Sequence, residues 1–451
     1  LQDLRLAVAS GGQAVYLAVP AHAAEPGARR SPPERGVVVV DAQTGAVLRV
    51  VDRARALVSA QAYGGEGVVL RYRGTIDEDA FTHSRGLDAH RPLHVVDLAD
   101  AQATRLYISG RTGEVVRDAP RTERLWNYAG AWIHWLYPLR GTGLDRYWAD
   151  IVNWLSIVGI AVTLTGTVVG VMRWRFRRTY KSGSHSPYQG TMMRWHHISG
   201  LLFALVTLTW IFSGLMSMNP WRVFDSGAPA LRMAAMQGGP LVVEAGDATP
   251  AALLASTRGD IRELRWVRAA GQTLVLASTA GVRPLVRDAA SAQPQQIDPE
   301  ALRSAVAQLL PDAVARIDVL TAYDSHYYTR EAHTMTGGSE KPLPVWRVVF
   351  ADAHATWVHA DPQTGAVLGR SDSTRRWSRW LFAMLHSWDW LPLLAHRPLW
   401  DVLLVALSAG GALLSLTGVV IGWRRLGRKL KRATGPRPAP ARSAAPSRRP
   451  A

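Results

Sequence analysis

Ile151-Val-Asn-Trp-Leu-Ser-Ile-Val-Gly-Ile-Ala-Val-Thr-Leu-Thr-Gly-Thr-Val-Val-Gly-Val-Met172 runs from end to end without a charged side chain. At about 1.5 Å per helical residue it reaches across roughly 30 Å of hydrocarbon. Ile198–Met218 and Val402–Trp423 share the property and are of similar length. Buried core helices are shorter and carry a polar face, so the three runs read as membrane spans. The mean hydropathy of −0.02 over 451 residues hides this mosaic.

Charge orients the spans. The chain has 52 Lys/Arg, 35 Asp/Glu and a formal charge of +17. Six basic residues lie between Arg173 and Arg194 and ten follow Trp423, with no acid in either segment. The remaining 36 basic residues nearly balance the 35 acids, so the excess flanks the apolar runs. That is the signature of cytoplasmic loops, and it argues against nucleic acid as a partner. The loop 175–194 and the tail 425–451 are therefore expected inside, and 1–146 and 219–397 outside. Of 18 Trp, 15 fall in 126–221 or 377–423, close to span ends, where indoles anchor at the interface. Export of 1–146 calls for an N-terminal signal or span ahead of Leu1.

The chain also repeats itself in a constant register. Asp100-Ala-Gln-Ala-Thr104 meets Asp352-Ala-His-Ala-Thr356, and Arg111-Thr-Gly-Glu-Val115 meets Gln363-Thr-Gly-Ala-Val367. At the same displacement His134 meets His386, Trp148 meets Trp400, and Leu164-Thr-Gly166 meets Leu416-Thr-Gly418. Leu4-Arg-Leu6 and Gly12-Gln13 resemble Leu264-Arg-Trp266 and Gly271-Gln272 at slightly larger offsets. The repeating unit is span, outer domain, span. The first copy's opening span is expected roughly 35 to 65 residues before Leu1. Both copies begin inside, so they are parallel repeats about an axis along the membrane normal, and equivalent residues lie at equal depth.

The expected architecture is an α+β integral membrane protein. Segments 1–120 and 219–374 are the two outer domains, and 121–146 and 375–397 are interfacial aromatic helices. The spans are 147–174, 195–218 and 398–424. Val37–Leu48 reads as strand, Gly turn, strand, and Leu106–Val116 and Val358–Leu368 repeat the pattern. Asp298 caps a helix over 298–310 with Pro299 in its first position. Residues 433–451, rich in Pro, Ala and Arg, are expected to be disordered.

With no Cys, the chain excludes disulfides, thiolate metal sites and covalent haem attachment. Its chemistry falls to 14 His. Most, including His354 and His359, lie in polar stretches and read as solvated. His326, Glu331 and His333 are a loop that would bind a metal only with the right geometry. His134 and His386 occupy equivalent places in the interfacial helices, where two imidazoles at equal depth suit the axial positions of one haem. His196 and His197 open the second span at its inner end, too far from that pair to share its iron. Adjacent helical residues diverge by about 100°, so only one of the two faces the bundle. His396 has no counterpart in the first copy. There is no phosphate-binding GxxxxGK[ST], and no charge lies within the three apolar runs, which argues against a primary transporter.

The Asp-x-x-Thr-Gly-x-Val strand pairs, the aromatic helices carrying His134 or His386, the Leu-Thr-Gly spans and Arg194-Trp-His-His-Ile-Ser-Gly200 together resemble the PepSY-associated transmembrane family. The resemblance covers nearly the whole chain and rests on the order of its motifs. Members of that family include inner-membrane siderophore reductases of the ferrioxamine reductase type, which the chain resembles. What it implies is two periplasmic PepSY-like domains, four spans and two b-type haems held by His, with His134, His386 and His196 at matching positions and His197 an ambiguous neighbour. It also implies electron transfer to a ferric siderophore in the periplasm, releasing Fe(II). The chain has no flavin or nicotinamide fingerprint, so the donor is expected to be quinol or a cytoplasmic reductase. Two other readings stand beside this one: a redox-inert binding or regulatory protein, and a cytochrome b subunit serving another reductase.

Overall fold

A computed structural model describes residues 1–9, 11–20, 37–140, 142–280, 282–330 and 341–434. The Pro- and Arg-rich tail after 434, with Glu331 and His333, lies outside the described residues. The chain is α+β and forms two compact units. One comprises Leu1–Ala149 and Phe224–Trp377, the other Asp150–Val223 and Ser378–Ala451.

The first unit holds three antiparallel sheets. Its strands are β1 (Asp3–Ala9), β2 (Gln13–Val19), β3 (Val38–Asp41), β4 (Val47–Leu48), β5 (Leu70–Ile76), β6 (Leu93–Leu98), β7 (Arg105–Ser109) and β8 (Val115–Ala119). They continue with β9 (Glu263–Ala269), β10 (Gln272–Thr279), β11 (Val282–Asp288), β12 (Val314–Leu320), β13 (Val345–Phe350), β14 (Trp357–Ala360) and β15 (Val367–Ser371). The four-stranded sheets run β5-β6-β7-β8 and β12-β13-β14-β15, and the third sheet runs β11-β10-β9-β1-β2-β3-β4.

That seven-stranded sheet departs from expectation, because it joins segments 1–120 and 219–374, read from sequence as separate domains. Its centre is the β1–β9 pair, in which Leu4 faces Trp266, Arg5 faces Arg265 and Leu6 faces Leu264. Pairing removes the open edge of each hairpin, and Leu4, Leu264 and Trp266 enter one apolar cluster. The Arg5 guanidinium donates to Glu114 and Glu263, both at 3.1 Å, so two like charges facing across the ladder meet acids rather than each other.

The expected Gly turns are present. Asp41 accepts from the Gln43 and Thr44 amides and Asp361 from Gln363, with Gly45 and Gly365 at φ 71° and 70°. Between β7 and β8 the acceptor is Ser109, which takes the Thr112 amide. Asp298 caps Pro299–Ala307, which ends three residues before the expected boundary.

Backbone features recur at the displacement seen in the sequence. Ala103 and Ala355 have φ 47° and 49°, and Leu136 and Trp388 have φ 55° and 52°. Asp100 holds Thr104 as Asp352 holds Thr356, each through its amide and hydroxyl. Trp148 Nε1 donates to the Trp135 carbonyl, and Trp400 Nε1 to that of Ser387. The expected interfacial helices are each broken by a π-helical turn, Tyr128–Ile133 after Arg121–Asn127 and Trp380–Met384 after Ser373–Arg379. Such turns re-aim the side chains that follow them.

Three helices are long and apolar enough to cross a membrane: Asp145–Arg173, Thr191–Ser217 and Leu399–Leu430. Small residues mark their contacts. A Cβ on Gly159 would meet Ile211 at 3.4 Å, one on Gly170 would meet Leu201 at 3.1 Å, and one on Gly410 would overlap the Phe203 ring. Where all surroundings are apolar, such close approach of backbones is what holds helices together. Leu202, Leu205 and Val405 point outward.

Candidate functional site

His196 lies one turn into the second apolar helix, Thr191–Ser217. Its Nδ1 is 3.0 Å from the Thr417 hydroxyl on the third apolar helix. That hydroxyl is also 2.9 Å from both the Leu413 and the Leu414 carbonyl oxygens. Gly418 follows, and a Cβ there would stand 3.4 Å from His196 Cε1, so the ring rests on bare backbone. Thr417 also lines an apolar groove with Met192, Trp195, Leu413, Leu416 and Val420.

His386 follows the π-helical turn Trp380–Met384, and Trp388, in the left-handed region, ends the helix two residues later. Its Nδ1 is 3.0 Å from the Ser213 hydroxyl near the other end of the second apolar helix. Ser213 in turn lies 3.1 Å from the Trp210 carbonyl. Gly214 comes next, with its Cβ position 3.7 Å from His386 Cε1. The two histidines thus share one arrangement: an imidazole Nδ1 on a helix hydroxyl, followed by glycine against the ring edge. Seventeen residues separate His196 from Ser213, about 26 Å along the helix axis.

His197 differs. It is buried, with Nε2 2.9 Å from the Gly170 carbonyl and Nδ1 2.8 Å from the Ser186 hydroxyl. Trp174 and Tyr188 meet its ring edge to face. A carbonyl can only accept, so Nε2 carries the proton and Nδ1 accepts from Ser186. Both ring nitrogens are thereby engaged in tying the first apolar helix and its following loop to the second. The sequence leaves open which of the neighbouring histidines faces the bundle, and packing separates them.

His134 belongs to the sheet-containing unit. It closes the π-helical turn Tyr128–Ile133, its backbone amide donating to the Ala131 carbonyl. Trp135, Tyr137 and Trp148 form an aromatic cluster beside it in sequence, and His83 stands edge-on to Tyr137 at 4.6 Å. His396 Nδ1 turns back to the Pro392 carbonyl of its own turn.

The expectation that His354 and His359 are solvated fails for His359. His354 sits in the turn before β14, and His359 alone lies on the strand. His359 is buried, stacks on Tyr327 at 4.8 Å, and receives the Arg347 Nε–H at 3.0 Å. Arg347 also pairs with Asp324 at 2.7 Å. Burial, reinforced by the Arg347 charge, pushes the His359 imidazole down to about 4, so it is neutral near pH 7. Of the suggested metal loop only His326 is described, edge-on to Trp357 at 5.4 Å. Among the described residues no three His, Cys, Asp or Glu side chains converge as a metal site.

Sequence reasoning missed Thr417 and Ser213. For Thr417 the signal is present, since Leu-Thr-Gly recurs at 164–166 and 416–418, but there it marks only the repetition and the family resemblance. On the first apolar helix Thr165 likewise bonds the Ala161 carbonyl at 2.8 Å, and among the described residues no side chain comes within 4 Å of a Gly166 Cβ.

No protein-family model matches the chain, and no curated protein matches it.

Proposed function

We propose that the chain is a haem-b-dependent reductase of the bacterial inner membrane, passing electrons across the bilayer to a ferric siderophore or another ferric chelate in the periplasm. The observation that carries this reading is the pair His196 and His386. Each imidazole is oriented by a hydroxyl–glycine pair in an apolar setting, and they serve opposite ends of one apolar helix. The donor set suits an iron porphyrin: imidazole nitrogens, glycine backbone against the ring edges, an apolar groove lined partly by Thr417, and no Cys for covalent attachment. Haem, when bound, accepts and donates single electrons at its iron. The chain's own groups orient the ligands, exclude water and keep the site apolar. One electron reduces each ferric ion to Fe(II), which the chelate holds less tightly. Quinol or a cytoplasmic reductase supplies the electrons.

His197, with both nitrogens engaged, is a structural clamp in this reading, and His196 is the ligand at the inner end. The recurrence of left-handed residues and indole bonds in the register of the repeat supports a duplicated, PepSY-like architecture with periplasmic sheets. The β1–β9 register, symmetric about Arg5 and Arg265, supports a two-fold relation between its copies.

The test is a dithionite-reduced minus oxidised spectrum of the purified protein with haem counted per chain. A b-type α-band, reoxidised by added ferric siderophore, is the expected result. A protein without haem despite ample supply would leave a redox-inert binding role. A haem protein that leaves ferric chelates untouched would be a cytochrome subunit.

The orientation has its own check. Protease added to intact spheroplasts should spare the basic loop 175–194, whereas inside-out vesicles should lose it. Cleavage in the spheroplasts would reverse the topology.

A further inference from the structure

We infer that Thr417 and Ser213 set the imidazole tautomers of His196 and His386, holding the proton on Nδ1 and leaving Nε2 unprotonated. A hydroxyl has one hydrogen and two lone pairs, whereas a carbonyl oxygen can only accept. Around Thr417 Oγ1 stand the Leu413 and Leu414 carbonyls, each at 2.9 Å, and His196 Nδ1 at 3.0 Å. Were Nδ1 unprotonated, three acceptors would converge on one hydrogen. With the proton on Nδ1, every group is matched: the hydroxyl donates back along its own helix and receives the imidazole N–H. Ser213 repeats the logic between the Trp210 carbonyl at 3.1 Å and His386 Nδ1 at 3.0 Å.

His197 provides the internal contrast. Its Nε2 faces the Gly170 carbonyl, and its Nδ1 faces the Ser186 hydroxyl, which has a hydrogen to give. Adjacent histidines are thus sorted into opposite tautomers by what stands opposite each ring. Gly418 and Gly214 let the rings of His196 and His386 lie close enough to the helices for these bonds to form. The consequence for iron ligation rests on the proposed function: a neutral ring protonated at Nδ1 offers Nε2 to a metal, and the bond at Nδ1 fixes ring orientation and raises basicity.

The experiment uses the full chain with ¹⁵N-labelled histidine rings. Long-range ¹H–¹⁵N correlation reads the tautomer without haem, and His196→Gln assigns the His196 signal. Haem titration then measures affinity. The wild-type His196 ring is expected as the Nδ1–H form. Thr417→Val keeps the shape but removes the acceptor. It should release the tautomer preference and weaken haem binding at His196 by about tenfold or more, and Thr417→Ser should restore both. Ser213→Ala should release His386 and leave His196 unchanged. A wild-type His196 ring protonated at Nε2 would overturn the inference without recourse to any variant. So would Thr417→Val with tautomer and haem affinity both unchanged, while the haem reading stood. An Nδ1–H ring in a protein that takes up no haem would support the tautomer assignment and defeat the reductase reading.

Discussion

His196→Ala is expected to remove about half of the bound haem, and His386→Ala the other half, with neither variant affecting the remaining signal. His386 is anchored by Ser213, seventeen residues along the helix that bears His196. That is about 26 Å of helix axis, whereas a metal–imidazole bond is about 2 Å long. One iron therefore cannot be shared by His196 and His386. His134→Ala is expected to behave as His386→Ala, because the two histidines are equivalent in the repeat and follow equivalent π-helical turns. His197→Ala should retain its haem, since that ring is spent on Gly170 and Ser186. Pyridine haemochrome quantification of each purified variant is the measurement. Loss of all haem from His196→Ala, or of separate haems from the His134 and His386 variants, would contradict the assignment.

The largest stability effect is expected at Phe350. This residue ends β13 at 2% exposure, in a cluster with Leu302, Val306 and Leu309 from the capped helix and the turn after it. Alanine there removes a full aromatic side chain from a site closed by a helix on one side and a sheet on the other. The expected cost is about 3–5 kcal/mol. For a unit of this size that lowers the melting temperature by on the order of 10 °C. Val319→Ala, on an exposed position of β12, should change stability by less than about 0.5 kcal/mol. Detergent-solubilised protein followed by tryptophan fluorescence during heating would compare them. Equal melting of the two variants would show that the cluster is not the core of its unit.

Much of the architecture was legible in the residues. A charge placed in hydrocarbon is costly, so long runs without one mark the three apolar helices, and all three are present. Turn chemistry was equally local. Asp41 and Asp361 followed by Thr-Gly folded as expected, because the carboxylate, the amides it caps and the left-handed glycine lie within five residues. The Asp298 cap with Pro299 is another local signal, wrong only in its far boundary. The matches at one constant displacement were visible for the same reason: each matched feature is a short-range property of the chain.

What only the tertiary structure decided is where distant partners meet. Nothing in Leu4-Arg-Leu6 names Leu264-Arg-Trp266 as its pairing strand. An open sheet edge is satisfied by any strand of suitable register, and the choice fell to the packing of Leu4 with Trp266 and to the acids around Arg5. Trp357, Val358 and Ala360 flank His359 and place it on a strand, but Tyr327 and Arg347, which bury and neutralise it, are distant in sequence. The histidines at 196 and 197 are the sharpest instance. They have the same chemistry and adjacent places, yet point about 100° apart. His196 Nδ1 therefore donates to a hydroxyl, whereas His197 Nε2 donates to a carbonyl that can only accept. By itself the sequence determined that this helix opens with two imidazoles; the neighbouring helices decided which nitrogen of each carries the proton, because a proton's position on imidazole is set by the group it faces.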